Sequence, residues 1–347
     1  MNIWTTFCPG KLSWELTYID SKGEAPSSDW LKNIKLVDES LQKLKKAGIY
    51  GIRLVIYPSE ITKDGKSYNF KPIDMMLEKC KKQKLAVDLC IGPFQYPHYP
   101  GIFLPEKMLD FVFDNKRCLD TTTELYKYGM DFLKAQIVRF GEDKRIHGFH
   151  FANEWPDAQK VKGRERVKSC VSLAFMLSSA NYLKKNTTKS ILLNTNIDAG
   201  NKKKLIDTFG EILGILGSSG MLGMDIYPSQ FIWKRYPLRK LRYTVFPYSK
   251  YFKSINKKFS MCELYFAEVE AQPWGSGQSW YQLINQEPDP NKKVLLYFNN
   301  SLNETWDKYI KGSGCKNVSL WGSEFWLAAC RMGVNWPLGQ VKLLTKI

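Results

Sequence analysis

The sequence lacks the patterns that mark several common classes of protein. Its eight cysteines show neither the paired spacing of a disulfide scaffold nor the spacing of a metal-ligand set. No apolar run approaches the ~18 residues of a transmembrane helix. The amino terminus has no basic region followed by an apolar stretch, so no signal peptide is visible. We therefore expect no membrane partner and a reduced, cytoplasmic setting.

Histidine is scarce, and the many basic residues form no obvious nucleic-acid groove. His98, His147 and His150 lack the spacing that puts two zinc ligands on one helix face. The net charge is +17, but the lysines are scattered over what look like helix surfaces. No basic helix interleaves with aromatic residues in the manner of a binding groove. The sequence thus predicts no metal site and no nucleic-acid partner.

Eight short apolar runs alternate with longer amphipathic stretches along the chain. Continuous apolar runs of this length are typical of strands buried on both faces. The predicted strands are Ile3–Phe7, Gly51–Tyr57, Ala86–Ile91, Gly148–Asn153, Ser190–Thr195, Leu222–Ile226, Leu264–Glu268 and Val318–Trp321. The predicted helices between them are Asp29–Ala47, Pro72–Lys82, Thr121–Phe140, Val167–Lys185, Ser249–Cys262 and Asn303–Ile310.

This alternation predicts an α/β fold, a (β/α)8 barrel. Right-handed crossovers between successive strands give a parallel sheet, and eight repeats favour closure into a barrel. The glycine-rich phosphate fingerprint of a doubly wound dinucleotide-binding fold is absent. No linker or shift in composition marks a second domain, so we predict one barrel over residues 1–347.

Two glutamates follow apolar strands and carry the functional prediction. Glu154 lies in Asn-Glu-Trp-Pro after the fourth predicted strand, and Glu268 ends the seventh. A carboxylate at the end of a buried strand is costly unless it is paired or its pKa shifts, and both conditions are typical of active sites. In a parallel barrel all strands end at one face, where active sites are built. The pair therefore indicates a two-carboxylate hydrolase, most often one that acts on glycosides.

The residues at the predicted strand ends resemble the clan of (β/α)8 retaining glycoside hydrolases called clan A or the 4/7 superfamily. The resemblance rests on Arg53, on Asn-Glu-x-Pro from Asn153, on Tyr227, on Glu-x-x-x-x-Pro-Trp from Glu268, and on Trp-Gly-x-Glu from Trp321. More narrowly, the chain is similar to cellulase-like barrel proteins of unassigned substrate that carry Glu-Leu-Gln-Ala-Glu-Pro-Trp after strand seven. Here the same stretch reads Glu-Val-Glu-Ala-Gln-Pro-Trp, with the glutamine and second glutamate exchanged.

The resemblance implies a role for each of these residues and no cofactor. Glu154 would be the acid/base and Glu268 the nucleophile, which Arg53 would hydrogen-bond and Tyr227 orient. Asn153 would hold the sugar 2-hydroxyl, and a carbohydrate would be the substrate. The remaining candidates for substrate binding are Gln95, His98, Trp274, Trp321, Glu324 and Trp326. We also expect Pro93–Pro100 and Tyr227–Tyr243 to form the walls of the cleft.

Several alternatives stay open at this point. Glu263 rivals Glu268 as nucleophile if a strand ends at Cys262. Arg53 could be an ordinary salt-bridged arginine, and the tryptophans could pack in the core. The barrel could also transfer sugar to an acceptor other than water, or bind carbohydrate without catalysis. The sugar, its linkage, exo or endo action and the oligomeric state are not given by the sequence.

Overall fold

The chain forms a closed barrel of eight parallel strands, as the sequence predicts. The computed structural model describes residues 1–97, 101–111, 118–119, 123–195, 202–226, 263–270, 306, 310 and 315–345. The barrel strands are β1 (Asn2–Phe7), β2 (Gly51–Leu54), β3 (Ala86–Ile91), β4 (Gly148–Phe151), β5 (Ser190–Thr195), β6 (Gly220–Ile226), β7 (Glu263–Glu270) and β8 (Asn317–Trp321). Each pairs with its sequence neighbours, and β8 pairs with β1 to close the ring.

The described helices pack around this barrel. They are α1 (Pro9–Asp20), α2 (Ile34–Lys46), α3 (Pro58–Ile61), α4 (Lys71–Lys82), α5 (Glu124–Phe140), α6 (Leu173–Asn186), α7 (Lys202–Leu216), α8 (Ser323–Arg331) and α9 (Trp336–Leu344), with 3-10 turns at Glu106–Phe111 and Gly217–Ser219. In the described parts of the chain, no helix has both the length and the apolarity needed to cross a membrane. The predicted helix Ser249–Cys262 lies outside the described residues, as does Asn303–Ile310 apart from two buried residues.

Helix starts follow local capping chemistry. The hydroxyls of Thr123 and Ser172 accept hydrogen bonds from backbone N–H groups three residues later, which fixes the first turns of α5 and α6. Helix α2 begins later than predicted, at Ile34, because residues from Asp29 form a separate turn in which Asn33 N–H donates to the Asp29 carbonyl. Helix α1 was not predicted from the sequence.

The prediction of a helix from Val167 is wrong at its start. Arg164–Val171 is a strand that pairs antiparallel with Gln159–Val161. These two belong to a four-stranded sheet outside the barrel, together with the short strands Gly101–Ile102 and Cys118–Leu119. All four strands belong to the connections that follow β3 and β4. The extra sheet therefore adds structure at the carboxyl ends of these strands.

One end of the barrel interior is filled by a tryptophan. Trp4 on β1 is fully buried and packs against Leu192 and Met221 on the opposite side. A side chain at Gly51 would place its Cβ 2.4 Å from the Trp4 ring, so the neighbouring strand has a glycine there. Trp4 thus fills the amino-terminal part of the barrel, and Arg53, His150 and Asn194 are buried nearer the carboxyl ends of their strands.

Candidate active site

The predicted site residues divide into those that the structure describes and those that it does not. His98, Tyr227 and Trp274 lie outside the described residues, and so does the side chain of Glu268. The other candidates are described in full. Arg53, Asn153, Glu154 and Trp321 lie on or directly after barrel strands, at or toward the carboxyl end.

The backbone of β7 separates Glu268 from its rival Glu263. Glu263 is the first residue of the strand and pairs with Met221 near the start of β6. Glu268 pairs with Asp225, next to the end of β6. At ~3.3 Å per residue, five residues put the two glutamates ~16 Å apart along the strand. Glu268 is therefore the one at the barrel mouth.

A bulge lies directly before Glu268. Successive pairs of β6 with β7 run from Met224↔Phe266 to Asp225↔Glu268, so one extra residue is inserted in β7. The pairing of β7 with β8 shifts in the same place. Such insertions re-aim side chains and are common next to active sites.

Glu154 lies on a turn of unusual backbone conformation. Ala152 and Glu154 have positive φ values of 58° and 53°, which non-glycine residues rarely adopt. The turn is held by two backbone bonds, from Asn153 N–H to the Gln95 carbonyl (2.7 Å) and from Asp157 N–H to the Glu154 carbonyl (2.9 Å). Strained backbone of this kind persists where the surroundings fix it, and it clusters at functional sites.

Asn194 at the end of β5 fixes the residues around this turn. Its Nδ2 donates to Asn153 Oδ1 (2.9 Å) and to both carboxylate oxygens of Asp225 (3.1 and 2.8 Å). Its Oδ1 accepts from the Glu154 backbone N–H (3.3 Å) and lies 2.6 Å from His150 Nε2. One buried amide thus joins β4, β5 and β6 at the point where Glu154 emerges.

These bonds determine the tautomer of His150. Because Asn194 Oδ1 is an acceptor, His150 Nε2 carries the proton, and Nδ1 faces the Cys90 sulfur at 3.5 Å as an acceptor. Burial lowers the pKa of His150 well below its ordinary value, and the positive charge of Arg53 lowers it further. The imidazole is therefore a neutral donor to Asn194.

Arg53 lies inside the barrel on β2 and is fully buried. Its Nε and one terminal nitrogen donate to the Thr6 hydroxyl at 3.2 and 2.5 Å. The guanidinium is positioned by β1 and lies within electrostatic range of His150 on β4. A buried cation inside the barrel favours ionised carboxylates nearby.

Several candidates for substrate binding have structural roles in the described geometry. Glu324 is fully buried, with Oε1 accepting from Cys8 N–H (3.0 Å) and Oε2 from Ser323 Oγ (3.1 Å), so it ties α8 to the end of β1. Trp326 is fully buried in the main apolar core, which leaves no ring face for a sugar. Gln95 is buried, and its Nε2 donates to the Asp157 carbonyl (2.7 Å).

The aromatic residues of the 93–97 segment also pack inward. Phe94 is buried edge-on against Phe175, and the Tyr96 hydroxyl donates to the Gly92 carbonyl. Neither ring is exposed for stacking on a sugar, in contrast to the expected cleft wall. The preceding strand and the proline-rich sequence indicated a loop at the mouth. The ring of Phe94 is instead buried by α5 and α6, and that of Tyr96 by residues at the ends of β1, β2 and β3.

Four buried residues without a role assigned from the sequence make hydrogen bonds to the candidate site residues or to one another. Thr6, His150, Asn194 and Asp225 are polar, buried and near the carboxyl ends of their strands. Asn194 and Asp225 are visible in the sequence as polar residues at the ends of predicted strands, although without a role. For Thr6 and His150, the available signal is a polar residue that interrupts an apolar strand. Among the residues that the structure describes, no three His, Cys, Asp or Glu side chains are placed to hold a metal ion.

Comparison with known proteins shows the fold. No family model and no curated protein matches the sequence. Solved structures match over nearly the whole chain at 12% identity. A GH5_18 protein from Bifidobacterium longum, crystallised with Manβ1-4GlcNAc, has a TM-score of 0.60 over 100% of this chain and 78% of that one. Xylanase 10B from Thermotoga petrophila, in complex with xylobiose, has 0.53 over 92% and 81%.

A β-galactosidase from Marinomonas ef1 is similar at a TM-score of 0.58 and 12% identity. The match covers 100% of this chain but only 59% of the β-galactosidase. The barrel of this chain is therefore the one found in clan A glycoside hydrolases and β-galactosidases, which confirms the resemblance at the level of the fold.

Proposed function

We propose that the protein is a retaining β-glycosidase that hydrolyses an oligo- or polysaccharide with two glutamates and without a cofactor, in one barrel spanning residues 1–347. The observation that carries the proposal is the strained Glu154 turn, which Asn194 holds at the same barrel mouth as the end of β7 with Glu268. The shared fold with glycoside hydrolases supports it.

The chemistry proceeds in two displacements. Glu154 donates a proton to the leaving glycosidic oxygen while Glu268 attacks the anomeric carbon, and a glycosyl-enzyme forms. Glu154 then removes a proton from the water that releases the sugar. The two carboxyl groups should lie ~5–5.5 Å apart, because a greater separation leaves room for water and gives inversion.

The described side chains have defined parts in this scheme. Asn153 Oδ1 is occupied by Asn194, so Asn153 offers its Nδ2 as the donor to a sugar hydroxyl. Arg53 supplies a fixed positive charge that favours the ionised nucleophile. Trp321, 9% exposed at the end of β8, retains a small surface for contact with a sugar ring.

A panel of chromogenic β-glycosides tests the proposal, with Glu154→Gln, Glu268→Gln and Glu263→Gln as the variants. Glu154→Gln should lower kcat/KM by about 10²–10⁴-fold, the usual contribution of general acid–base catalysis. That loss should be smaller with an activated leaving group. Glu268→Gln should abolish turnover, whereas Glu263→Gln at the other end of the same strand should retain it.

The products distinguish the competing mechanisms. A β-anomeric first product supports retention, and an α-anomer contradicts it. Preferential transfer to an added alcohol would identify a transglycosylase. Binding of oligosaccharides without turnover in any assay would identify a carbohydrate-binding barrel, and loss of activity in Glu263→Gln alone would contradict the assignment of Glu268.

A further inference from the structure

A cavity outside the Glu154 turn lies between the first turns of α1 and the segment that follows β2. Its volume is about 460 Å³, and its walls include Gly10, Trp14, Tyr57, Glu60 and Phe103. This size falls in the range of roughly 300–1,000 Å³ that is usual for small-molecule sites. None of these residues has a part in the two-glutamate chemistry.

The cavity opens at the same end of the barrel as the candidate active site. Helix α1 directly follows β1, Tyr57 and Glu60 follow β2, and Phe103 belongs to the connection after β3. The chain after α1 returns to this end, because the Ser13 hydroxyl donates to the Ser27 carbonyl at 2.8 Å. The walls therefore come from the carboxyl-end connections of three neighbouring strands.

The aromatic residues of the cavity are only partly covered, unlike Phe94 and Tyr96. Trp14 packs one face against Tyr18, with ring centroids 5.0 Å apart and an interplanar angle of 18°. Phe103 stacks on Tyr57 in the opposite wall. Both Trp14 and Phe103 retain exposed surface, which an apolar ring face could cover.

Among the polar residues of the cavity, which also include Lys11, Ser28 and Ser59, Glu60 has a carboxyl of fixed orientation. Glu60 Oε1 accepts from Trp30 Nε1 (3.0 Å) and Oε2 from the Tyr57 N–H (2.8 Å). A carboxylate has about four lone-pair sites, so each oxygen can accept one more hydrogen bond. Burial raises the pKa of Glu60, so this carboxyl is protonated more readily than an exposed one.

We propose that this cavity is a second sugar subsite, which binds a neutral pyranose of an oligosaccharide whose scissile bond lies at Glu154. Aromatic faces cover the apolar side of such a ring, and Glu60 accepts from its hydroxyls. Lys11 also lines the cavity and offsets the charge of Glu60, so the lining favours neither an acidic nor a basic sugar. The inference rests on the proposed glycosidase function and identifies the region that binds the part of the oligosaccharide away from the scissile bond.

Continuity with the barrel mouth supports this occupant. The ring of Tyr57 joins the cavity to the barrel, because its hydroxyl lies beside the Cys8 thiol at the end of β1. Cys8 N–H in turn donates to Glu324 on α8, next to the end of β8. The cavity is thus attached to the ends of β1, β2 and β8, on the same face of the barrel as Glu154.

Gly10 allows the cavity to be filled without disturbing the backbone. A Cβ at this position would lie 3.6 Å from Glu60 Oε1 and from the Ser28 carbonyl, which is ordinary contact distance. Gly10→Ala should therefore be tolerated and is the matched control. Gly10→Gln places a longer side chain in the cavity, and Trp14→Ala removes one aromatic wall.

The measurement is kcat/KM for neutral xylo-, manno-, cello- and galacto-oligosaccharides of increasing length, compared with an aryl monoglycoside. Gly10→Gln and Trp14→Ala should lower kcat/KM for the longer substrates by about tenfold, the equivalent of roughly 1.4 kcal/mol of binding. The aryl monoglycoside should be hydrolysed at the wild-type rate by all three variants, and Gly10→Ala should behave as wild type throughout.

The two proposals fail in different ways. If the wild-type protein hydrolyses glycosides and the dependence on chain length is unchanged in Gly10→Gln and Trp14→Ala, the subsite is wrong. If the wild-type protein hydrolyses none, the glycosidase function is wrong, and calorimetric titration of the same oligosaccharides tests the cavity directly. Binding that Gly10→Gln abolishes would then support the subsite, and equal binding or none would overturn it.

Discussion

The two sides of the barrel mouth are built differently. On the side of β4, β5 and β6, one amide from Asn194 makes hydrogen bonds to three strands and fixes the Glu154 turn. On the side of β1, β2 and β8, Arg53 and Glu324 are each held by neighbours from the adjacent strand ends, and a cavity lies outside them. The first side fixes the backbone at Glu154, the proposed acid/base, whereas the second contains a cavity.

This difference separates two kinds of buried polar group. Asn194 and Asp225 stabilise each other inside the barrel, where an unpaired group would cost about 1–3 kcal/mol. Glu60 is fixed through its two oxygens while still lining a cavity. The comparison predicts that changes on the β4–β6 side alter both catalysis and stability, and that those near the cavity alter chain-length preference alone.

The largest effect is expected for Asn194→Ala. The variant loses the donor to the Asp225 carboxylate and the acceptor for His150, and it releases the Asn153 side chain. Since misplacing a reacting group by ~1 Å can cost ~10²-fold, kcat should fall by about 10²-fold with little change in KM. The free energy of unfolding should fall by about 1.5–3 kcal/mol, the value of a hydrogen bond to a charged group.

Asn181→Ala is the matched control for this variant, because Asn181 is exposed and its Nδ2 donates only to the Leu177 carbonyl in the same helix. Steady-state kinetics and urea unfolding should leave the control close to wild type. A loss of stability in Asn194→Ala with unchanged kcat would show that the amide supports the fold but does not position Glu154.

An intermediate effect is expected for Thr6→Val, with Thr5→Val as its control. Both threonines are fully buried on β1, but Thr6 accepts two bonds from Arg53 whereas Thr5 donates to the Leu320 carbonyl. Unfolding measurements should show a loss of about 1.5–3 kcal/mol for Thr6→Val and about 0.5–1.5 kcal/mol for Thr5→Val. Thr6→Val alone should also lower kcat, and equal effects of the two variants would contradict a special role for the arginine contact.

The smallest effect concerns the pH dependence of stability. The folded-state pKa of His150 is depressed, so below about pH 6.5 the unfolded chain binds a proton that the folded chain does not. The contribution is therefore lost as the pH falls, at no more than ~1.4 kcal/mol per pH unit for one proton. Urea unfolding of the wild type and of His150→Gln between pH 7.5 and 5 measures it.

Glutamine keeps a donor for Asn194 Oδ1 but does not titrate in this range. The unfolding free energy of His150→Gln should therefore decline less steeply with falling pH than that of the wild type. Identical slopes would show that His150 is protonated in the folded state as well, contrary to its neutral role as a donor to Asn194.

Strand β7 contains both a feature that the sequence predicts and one that it does not. The strand and the position of Glu268 near its carboxyl end could be predicted, because an apolar run followed by a carboxylate is a local pattern. The choice between Glu263 and Glu268 depended on where the strand begins, and the inserted residue before Glu268 is visible only in the pairing with β6 and β8. The strand propensity of individual residues does not determine how β7 aligns with its neighbouring strands.

For Tyr96 and Trp326, the position expected from the sequence differs from the one in the structure. Tyr96 and Trp326 are near strand ends or in motifs, and the sequence placed them at the cleft, yet both rings are buried. Trp14, which the sequence left without a role, lines the cavity. Which face of a ring is covered depends on side chains distant in sequence, such as Phe175 against Phe94.

The sequence by itself determined the alternation of strands and helices, the eightfold barrel and the strand ends at which Asn153 and Glu154 lie. These follow from apolar periodicity and from the rule that parallel strands end at a common face. Only the tertiary structure decided that Asn194 holds the Glu154 turn, that Glu324 is a buried tie between α8 and β1, and that a cavity opens beside Gly10. The reason is that hydrogen bonds and cavities arise between residues far apart in sequence, as in the 316-residue separation of Cys8 and Glu324.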